Sequence, residues 1–255
     1  MGGGERSNDP VKRFVSHNCR GLNDKQKDRI EAWVEWGRTK KVHAACLQET
    51  WRAGGGEETN QGWMLIHHGL KEPVCKRGSQ GVAILLSPEA KVAWEKAGGE
   101  ISRFGDRILA VRLQTKDGAG RKRIVYLVSA YAPVSSDTAG RAKFKKHLQE
   151  CLDECRRGEW LLLGMDANAA LGRRRSSHDR VLGPHGLERT NEAGDDLYQF
   201  LAQNELCVPS TFFRDVSKSG MARYATWWHP NLRSNNRAFQ NDHFIMQQRD
   251  LKRVA

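Results

Sequence analysis

The sequence predicts a single α/β domain with mixed β-sheets, and three observations lead to this fold class. Short apolar runs bounded by turn signals recur along the 255 residues. Amphipathic stretches with helical spacing follow several of these runs, as expected of an α/β protein. Two glycine-containing turn signals, Lys116-Asp117-Gly118 and Gly78-Ser79-Gln80-Gly81, predict antiparallel pairing. Antiparallel pairs beside helical crossovers favour a mixed sheet, or a pair of sheets, over a purely parallel one.

The predicted strands are apolar runs of strand length whose ends carry turn-forming or polar residues. In chain order they are Arg13–His17, Ala44–Gln48, Met64–His67, Val82–Leu86, Ile108–Gln114, Ile124–Ala130, Trp160–Gly164, Ala225–Trp228 and His243–Met246.

The predicted helices have apolar residues three and four positions apart, which places them on one face. These helices are Asp24–Arg38, Lys143–Cys155 and Asn191–Asn204. In the first of them the apolar face consists of Ile30, Trp33, Val34 and Gly37. We interpret all three faces as core contacts.

Composition indicates an acidic partner for the protein. The chain has 42 Lys and Arg against 30 Asp and Glu, a formal net charge of +12. Several basic residues are consecutive, as in Arg121-Lys122-Arg123 and Arg173-Arg174-Arg175. Such clusters favour a polyanionic partner, and the alternative is a solvated basic surface without a ligand.

The same composition predicts an intracellular protein without a membrane span. No apolar run approaches the ~18 residues that a bilayer requires, and the first residues lack the apolar segment of a signal peptide. The 6 cysteines are dispersed without a C-x-x-C pair, which favours a reducing compartment over a disulfide framework or a zinc site. We expect residues 1–10 to form a disordered leader and residues 11–255 to form one domain.

Polar residues follow several predicted strands, and ligand sites of α/β sheets gather at strand ends. A single polar residue there is more often a turn former or a helix cap. The combination of a Glu, an Asp-x-Asn and a Tyr-x-Pro element suggests more, because hard oxygen ligands suit Mg²⁺ or Mn²⁺. These strand-end elements are His17-Asn18-Cys19-Arg20-Gly21-Leu22, Gln48-Glu49-Thr50, Ala130-Tyr131-Ala132-Pro133, Gly164-Met165-Asp166-Ala167-Asn168 and Gln240-Asn241-Asp242-His243.

In this order, and together with Gly183-Pro184-His185-Gly186 and Ala225-Thr226-Trp227, the elements resemble the endonuclease/exonuclease/phosphatase family. Within that family the sequence is similar to the apurinic-endonuclease-like domain of non-LTR (LINE-type) retrotransposons and its craniofacial-development-protein relatives. The resemblance implies a four-layer α/β sandwich, in which two packed mixed β-sheets are flanked by helices. It also implies a metal-dependent phosphodiesterase site at one end of the sheets.

Roles for individual residues follow from the resemblance alone. It implies that Glu49 holds Mg²⁺ or Mn²⁺ with Asn18 near the same metal, and that Asp166 orients or deprotonates the attacking water. Asn168 and Tyr131 would bind the scissile phosphate, and Asp242 would orient a histidine. We expect nucleic-acid contacts from Arg173, Arg174, Arg175 and His185.

The family pattern continues with a Ser-Asp-His element on a further strand, and the sequence stops 255 − 242 = 13 residues after Asp242. His243 is not expected to replace that histidine, because consecutive strand residues point to opposite faces. We therefore expect a C-terminally truncated domain with an uncovered edge along Arg13–His17.

The predicted function is Mg²⁺-dependent nicking of DNA by an endonuclease of retrotransposon origin. The expected location is the nucleus, and a reverse transcriptase encoded in the same element is an expected partner. Two alternatives stay open, a catalytically inactive nucleic-acid-binding remnant and a phosphatase of the same fold that acts on a small phosphoester.

Overall fold

The computed structural model describes residues 12–22, 27–70, 80–214, 224–228 and 238–254. The leader predicted at residues 1–10 and part of the turn predicted at Gly78–Gly81 lie outside the described residues. Four helices are described: α1 (Lys27–Thr39), α2 (Pro88–Lys96), α3 (Thr138–Asp153) and α4 (Glu192–Gln203). None of these described helices is both long and apolar enough to cross a membrane.

Two β-sheets form the centre of the molecule. The first contains β1 (Arg13–Asn18), β2 (Val42–Gln48), β3 (Gly55–Asn60), β4 (Trp63–His68) and β5 (Val82–Leu86), in the order β1-β2-β5-β4-β3. The second contains β6 (Ile101–Phe104), β7 (Ile108–Lys116), β8 (Lys122–Tyr131), β9 (Trp160–Asp166), β10 (Leu206–Cys207) and β13 (Asp242–Gln247), in the order β10-β13-β9-β8-β7-β6. A separate antiparallel pair consists of β11 (Trp227–Trp228) and β12 (Ala238–Phe239).

Both sheets are mixed, as the sequence predicts. The parallel pairs are β1 with β2 and β8 with β9, and the other described neighbours are antiparallel. Lys116-Asp117-Gly118 lies at the hairpin between β7 and β8, where the Asp117 carboxylate accepts hydrogen bonds from the backbone N–H groups of Ala119 and Arg121. That aspartate turn confirms the hairpin predicted there.

The apolar residues form three cores, and together these define four layers. Side chains such as Cys46, Ile84 and Leu127 fill the space between the two sheets. Ile30 and Val34 of α1 cover the outer face of the first sheet. α3 and α4 cover the outer face of the second sheet with residues that include Phe144, Leu148, Leu197 and Leu201. The architecture is therefore helix, sheet, sheet, helix.

β3 and α2 are two elements that the sequence patterns did not predict. β3 has the sequence Gly-Gly-Glu-Glu-Thr-Asn and is largely exposed at the edge of its sheet, so it has no apolar signal. α2 begins with a local signal that can be read from sequence. Its N-cap Ser87 accepts a hydrogen bond from the Ala90 N–H, and Pro88 occupies the first turn.

β1 lies at an edge of the first sheet. Within the described ranges it pairs with β2 alone, so no described strand covers its outer side. The further strand expected beside β1 stays a prediction.

Candidate active site

Three neighbouring strands of the second sheet place three of the predicted residues in one row. Asp242 of β13 is directly opposite Asp166 of β9, and Asp166 is in register with Tyr131 of β8. Residues in register on adjacent strands project to the same face of a sheet. The row therefore brings together side chains that are far apart in the chain.

Glu49 reaches the same place from the first sheet, at the end of β2. Its backbone has a φ of +53°, a left-handed conformation that is unusual for a residue with a side chain. The neighbouring backbone holds it there, because the Gly21 N–H donates to the Glu49 carbonyl at 2.7 Å and the Thr50 N–H donates to the Gly81 carbonyl at 3.1 Å. Backbone conformations of this kind cost about 1–3 kcal/mol and concentrate at functional sites.

Side-chain hydrogen bonds join the two sheets at the site, and one of them connects Tyr131 with Glu49. The Tyr131 hydroxyl donates to Glu49 Oε1 at 2.9 Å. Burial is the largest cause, followed by Glu49, of a raised pKa of the Tyr131 phenol. Tyr131 is buried behind Glu49, so its contact in the free protein is with that carboxylate. The phosphate contact implied for Tyr131 stays a prediction.

Both oxygens of Asp166 are held by asparagines. Asn18 Nδ2 donates to Asp166 Oδ2 at 2.8 Å, and the Asn168 N–H donates to Asp166 Oδ1 at 3.0 Å. Asn18 Oδ1 in turn accepts from the Arg20 N–H at 3.1 Å, and Asn168 Nδ2 donates to the Ala132 carbonyl at 2.9 Å. The Asn18 side chain and the Asn168 backbone N–H therefore orient Asp166. The metal contact implied for Asn18 and the phosphate contact implied for Asn168 stay predictions.

Asn18, Glu49, Asp166, Asn168 and Asp242 line a cavity of about 760 Å³ at the end of the two sheets, and Tyr131 lies outside its lining. Its wall contains the three carboxylates together with two arginines, a histidine and several neutral groups. The lining residues include Glu49, Asp166, Asp242, Arg20, Arg29, His17, Asn18, Asn168, Asn191, Thr226, Phe239 and Asn241.

The carboxylates of the cavity are poorly neutralised. Burial, followed by the charge of Asp242, raises the pKa of Asp166 to about 7. Burial also raises the pKa of Asp242, whose Oδ1 has no hydrogen-bond partner within the described ranges. In the same ranges, no Lys or Arg forms an ion pair with Glu49, Asp166 or Asp242. The site thus holds buried negative charge that a cation would stabilise.

The donor set fits a hard divalent cation that is shared with a substrate. In the described part of the chain, no group of three or more His, Cys, Asp or Glu side chains could hold a metal ion by itself. Mg²⁺ commonly takes only one or two carboxylates from a protein and completes its shell with water and substrate phosphate oxygens. Glu49, with one oxygen held by Tyr131, and the orphaned oxygen of Asp242 match that use.

His243 lies outside the site. It is in register with Met165 and is only 3% exposed, whereas Asp242 lines the cavity. Burial lowers the pKa of the His243 imidazole to about 4, so the ring is neutral in the folded protein near pH 7. The alternation of the strand therefore confirms that Asp242 and His243 point to opposite faces.

The predicted basic segment is engaged with acidic side chains. Arg173 forms an ion pair with Glu188, and Arg175 pairs with Asp195 at 2.7 Å and lies over the Tyr198 ring. None of Arg173, Arg174, Arg175 and His185 is among the residues that line the cavity. The nucleic-acid role expected for these four residues stays a prediction.

The arginines that do line the cavity were not among the predicted site residues. Arg29 of α1 donates to the carbonyls of Cys19 at 2.6 Å and Arg20 at 2.9 Å, and Arg20 has a φ of +48°. The acceptors of Arg29 are neutral carbonyls. Within the described ranges neither Arg20 nor Arg29 forms an ion pair, so both positive charges remain available at the cavity. Arg20 stands inside a motif of the sequence analysis, but no spacing signal connects it with Arg29.

Comparisons with known proteins agree with this geometry. A family model described as "Endonuclease/Exonuclease/phosphatase family" matches residues 15–241. No curated protein matches the chain significantly.

Solved structures share the fold. An AP endonuclease from Leishmania major is 15% identical with a TM-score of 0.63, and the match covers 94% of this chain and 80% of that one. The APE2 catalytic domain of Xenopus laevis is 13% identical with a TM-score of 0.65, and the match covers 94% and 83%. The 3′ phosphatase NExo from Neisseria, solved with a product DNA hairpin, is 15% identical with a TM-score of 0.58, and the match covers 95% and 89%.

Proposed function

Because the chain belongs to the endonuclease/exonuclease/phosphatase family, we propose that it is a Mg²⁺- or Mn²⁺-dependent phosphodiesterase that nicks DNA. One observation carries the proposal. Glu49 from one sheet and Asp166 and Asp242 from the other meet in a cavity with two arginines in its wall. Within the described ranges, none of these three carboxylates forms an ion pair with Lys or Arg.

Asp166 is the group best suited to accept a proton from the attacking water. Two hydrogen bonds hold its carboxylate in one orientation, and its raised pKa brings its proton affinity near neutral pH. Glu49, with Asp242 nearby, would hold the divalent cation. The bound cation supplies charge neutralisation at the non-bridging phosphate oxygens and assists the leaving oxygen.

A polynucleotide is a better substrate than a small phosphoester for this cavity. Arg20 and Arg29 extend positive charge beyond the carboxylates, where the phosphates that flank the scissile one would lie. The net charge of +12 adds a long-range attraction for a polyanion.

The narrower parts of the proposal rest on the motif resemblance. They are the retrotransposon origin, the reverse transcriptase as partner, the nuclear location and the preference for DNA. Gly183-Pro184-His185-Gly186 is the segment most typical of that branch.

Plasmid nicking tests the proposed function. We expect relaxation of supercoiled plasmid with Mg²⁺ or Mn²⁺ and none with EDTA. Glu49→Gln should abolish nicking, because it removes a charged oxygen ligand while it preserves shape. Glu57→Gln on β3 is a matched control, since Glu57 is exposed and remote from the cavity lining.

The outcomes separate the alternatives. Nicking by Glu49→Gln at the wild-type rate would contradict the metal assignment. DNA binding without turnover would favour the inactive remnant, and turnover of a mononucleotide 3′-phosphate without nicking would favour a phosphatase.

A further inference from the structure

A row of aromatic rings leads away from the cavity along the outside of α1. The His17 ring lines the cavity and lies 5.3 Å from the Trp33 ring, and the Trp33 ring lies 5.3 Å from that of Trp36. His17 is exposed and Trp33 is half-buried. Trp36 is 40% exposed, which is unusual for a tryptophan and leaves it available to a ligand. The sequence analysis assigned Trp33 to the core, and only part of its ring packs there.

Basic residues stand at both ends of this row. Arg29, Trp33, Trp36 and Lys40 follow one another at intervals of four, three and four residues, which places them on one stripe along α1 and its C-terminal end. Arg29 lines the cavity, and at the far end the Arg13 guanidinium donates to the Lys40 carbonyl at 2.8 Å. The stripe spans roughly 16 Å, from eleven residues at the helical rise.

The charges of this stripe are not compensated. Within the described ranges, Arg13, Arg29 and Lys40 form no ion pair with a carboxylate. The acidic residue Glu35 pairs with Arg38 at 2.8 Å, and both project from the side of the helix away from the stripe. Arg13, Arg29 and Lys40 therefore place unpaired positive charge beside the rings, although α1 also carries the exposed acidic residues Asp28 and Glu31.

We infer that His17, Trp33 and Trp36, with Arg13, Arg29 and Lys40, form a binding track for unpaired nucleotides of the strand that enters the cavity. This inference rests on the proposed function. Aromatic rings interleaved with basic side chains bind single strands because every base can stack and every phosphate is negative. The faces of paired bases are stacked inside a duplex and cannot contact the rings, so the track should bind single-stranded substrate more tightly than duplex. Charge complementarity favours a nucleic acid over an added protein strand as the occupant.

Binding of a fluorescein-labelled oligo-dT, measured by anisotropy with EDTA to prevent cleavage, tests the track. Trp36→Ala should weaken binding about fivefold or more, because one stacking partner is lost. Trp36 is exposed, so the variant should keep its fold, and a thermal melt checks this. Phe213→Ala is the matched control, since Phe213 is another exposed aromatic residue (45% exposed) outside the cavity lining. Binding to a duplex of the same length should change less than twofold.

Two single-charge variants at the end of α1 distinguish binding along the track from a general electrostatic attraction. Lys40→Ala should weaken oligo-dT binding more than Arg38→Ala, although each variant removes one positive charge from the end of α1. Equal effects of the two variants, or unchanged binding by Trp36→Ala, would overturn the inference. The inference would also be overturned if Trp36→Ala changed only self-association, measured by sedimentation, because the rings would then form a contact between two copies of the protein.

The track and the proposed function fail separately. Glu49→Gln should lose nicking and keep oligo-dT binding in EDTA, whereas Trp36→Ala should weaken oligo-dT binding in EDTA. Nicking by Glu49→Gln with weakened binding by Trp36→Ala would reject the catalytic proposal and keep the track.

Discussion

The carboxylates of the cavity and the arginines of the segment Arg173–Arg175 are both clusters of like charge, but the fold treats them in opposite ways. Arg173 and Arg175 have Glu188 and Asp195 as partners. Glu49, Asp166 and Asp242 receive hydrogen bonds from neutral groups, and no described basic side chain forms an ion pair with them. The first cluster is balanced within the protein, and the second is left for a ligand to balance.

This difference teaches that clustering in sequence does not predict which charges are free. Arg20 and Arg29 are nine positions apart and form no cluster in sequence, yet both line the cavity, and neither forms an ion pair within the described ranges. An unbalanced buried charge raises the free energy of the folded protein. Its presence in a cavity therefore supports the proposed divalent cation as the counter-charge.

The largest expected effect comes from replacing a cavity carboxylate, and the matched control replaces a carboxylate that pairs with the segment Arg173–Arg175. Asp166→Asn should lower the nicking rate by about 10²–10⁴-fold, because an amide cannot accept a proton from water. Asp195→Asn breaks the Arg175 ion pair and should leave the rate within a factor of about 2, since exposed ion pairs contribute little. Retained turnover by Asp166→Asn, measured by plasmid nicking, would assign the proton acceptor to another residue.

An intermediate effect is expected from the two pairs of arginines. The double variant Arg20→Gln, Arg29→Gln should reduce the slope of log DNA affinity against log salt concentration. The reduction should be up to about 2, one unit for each lost phosphate contact. Glutamine keeps a donor for the carbonyls that Arg29 holds. Arg173→Gln with Arg175→Gln should change the slope less, because those charges are already paired. If both double variants change the slope equally, ion pairing in the free protein does not decide which arginines bind DNA.

The smallest expected effect is on stability and depends on pH. Burial, followed by the charge of Asp242, raises the pKa of Asp166 from the ordinary 3.8 of an aspartate to about 7 in the folded protein. Folding therefore gains stability from the neutral acid below pH 3.8, and that gain is lost as the pH rises through about 7. Relative to Asp166→Asn, the wild-type protein should lose stability between pH 4 and pH 8 in EDTA. Thermal melts measure this, and each kcal/mol corresponds to about 2–4 °C at this size.

Two buried histidines change the stability of the protein with pH in the opposite direction. Burial lowers the pKa of His43 and of His243 from 6.5 to about 4. The folded protein therefore loses stability at these two groups as the pH falls from 6.5 through about 4. Because these effects are common to wild type and Asp166→Asn, they cancel in the difference. A difference that does not change with pH would contradict the raised pKa of Asp166.

Much of the fold could be predicted from local patterns. β5 was predicted with its observed bounds, Val82–Leu86, because a continuous apolar run between polar residues indicates a buried strand. β3 could not be predicted in this way, since an exposed edge strand needs no apolar residues. α3 begins at Thr138, earlier than its apolar period predicts, because its N-cap Asp137 precedes a polar first turn.

The strand-end motifs of the sequence by themselves singled out Asn18, Glu49, Asp166, Asn168 and Asp242, all of which line the cavity. Alternation along β13 was sufficient to separate Asp242 from His243, because the period of a strand is a local property. Only the tertiary structure decided which side chains are hydrogen-bond or ion-pair partners. Asn18 and Asp166 are 148 positions apart, and Tyr131 and Glu49 are 82 apart. Hydrogen bonds and ion pairs require contact at about 3 Å, and sheet register, which sets those contacts across the fold, depends on the packing of both sheets. The free charge of Arg20 and the paired charge of Arg175 are therefore properties of the assembled sheets.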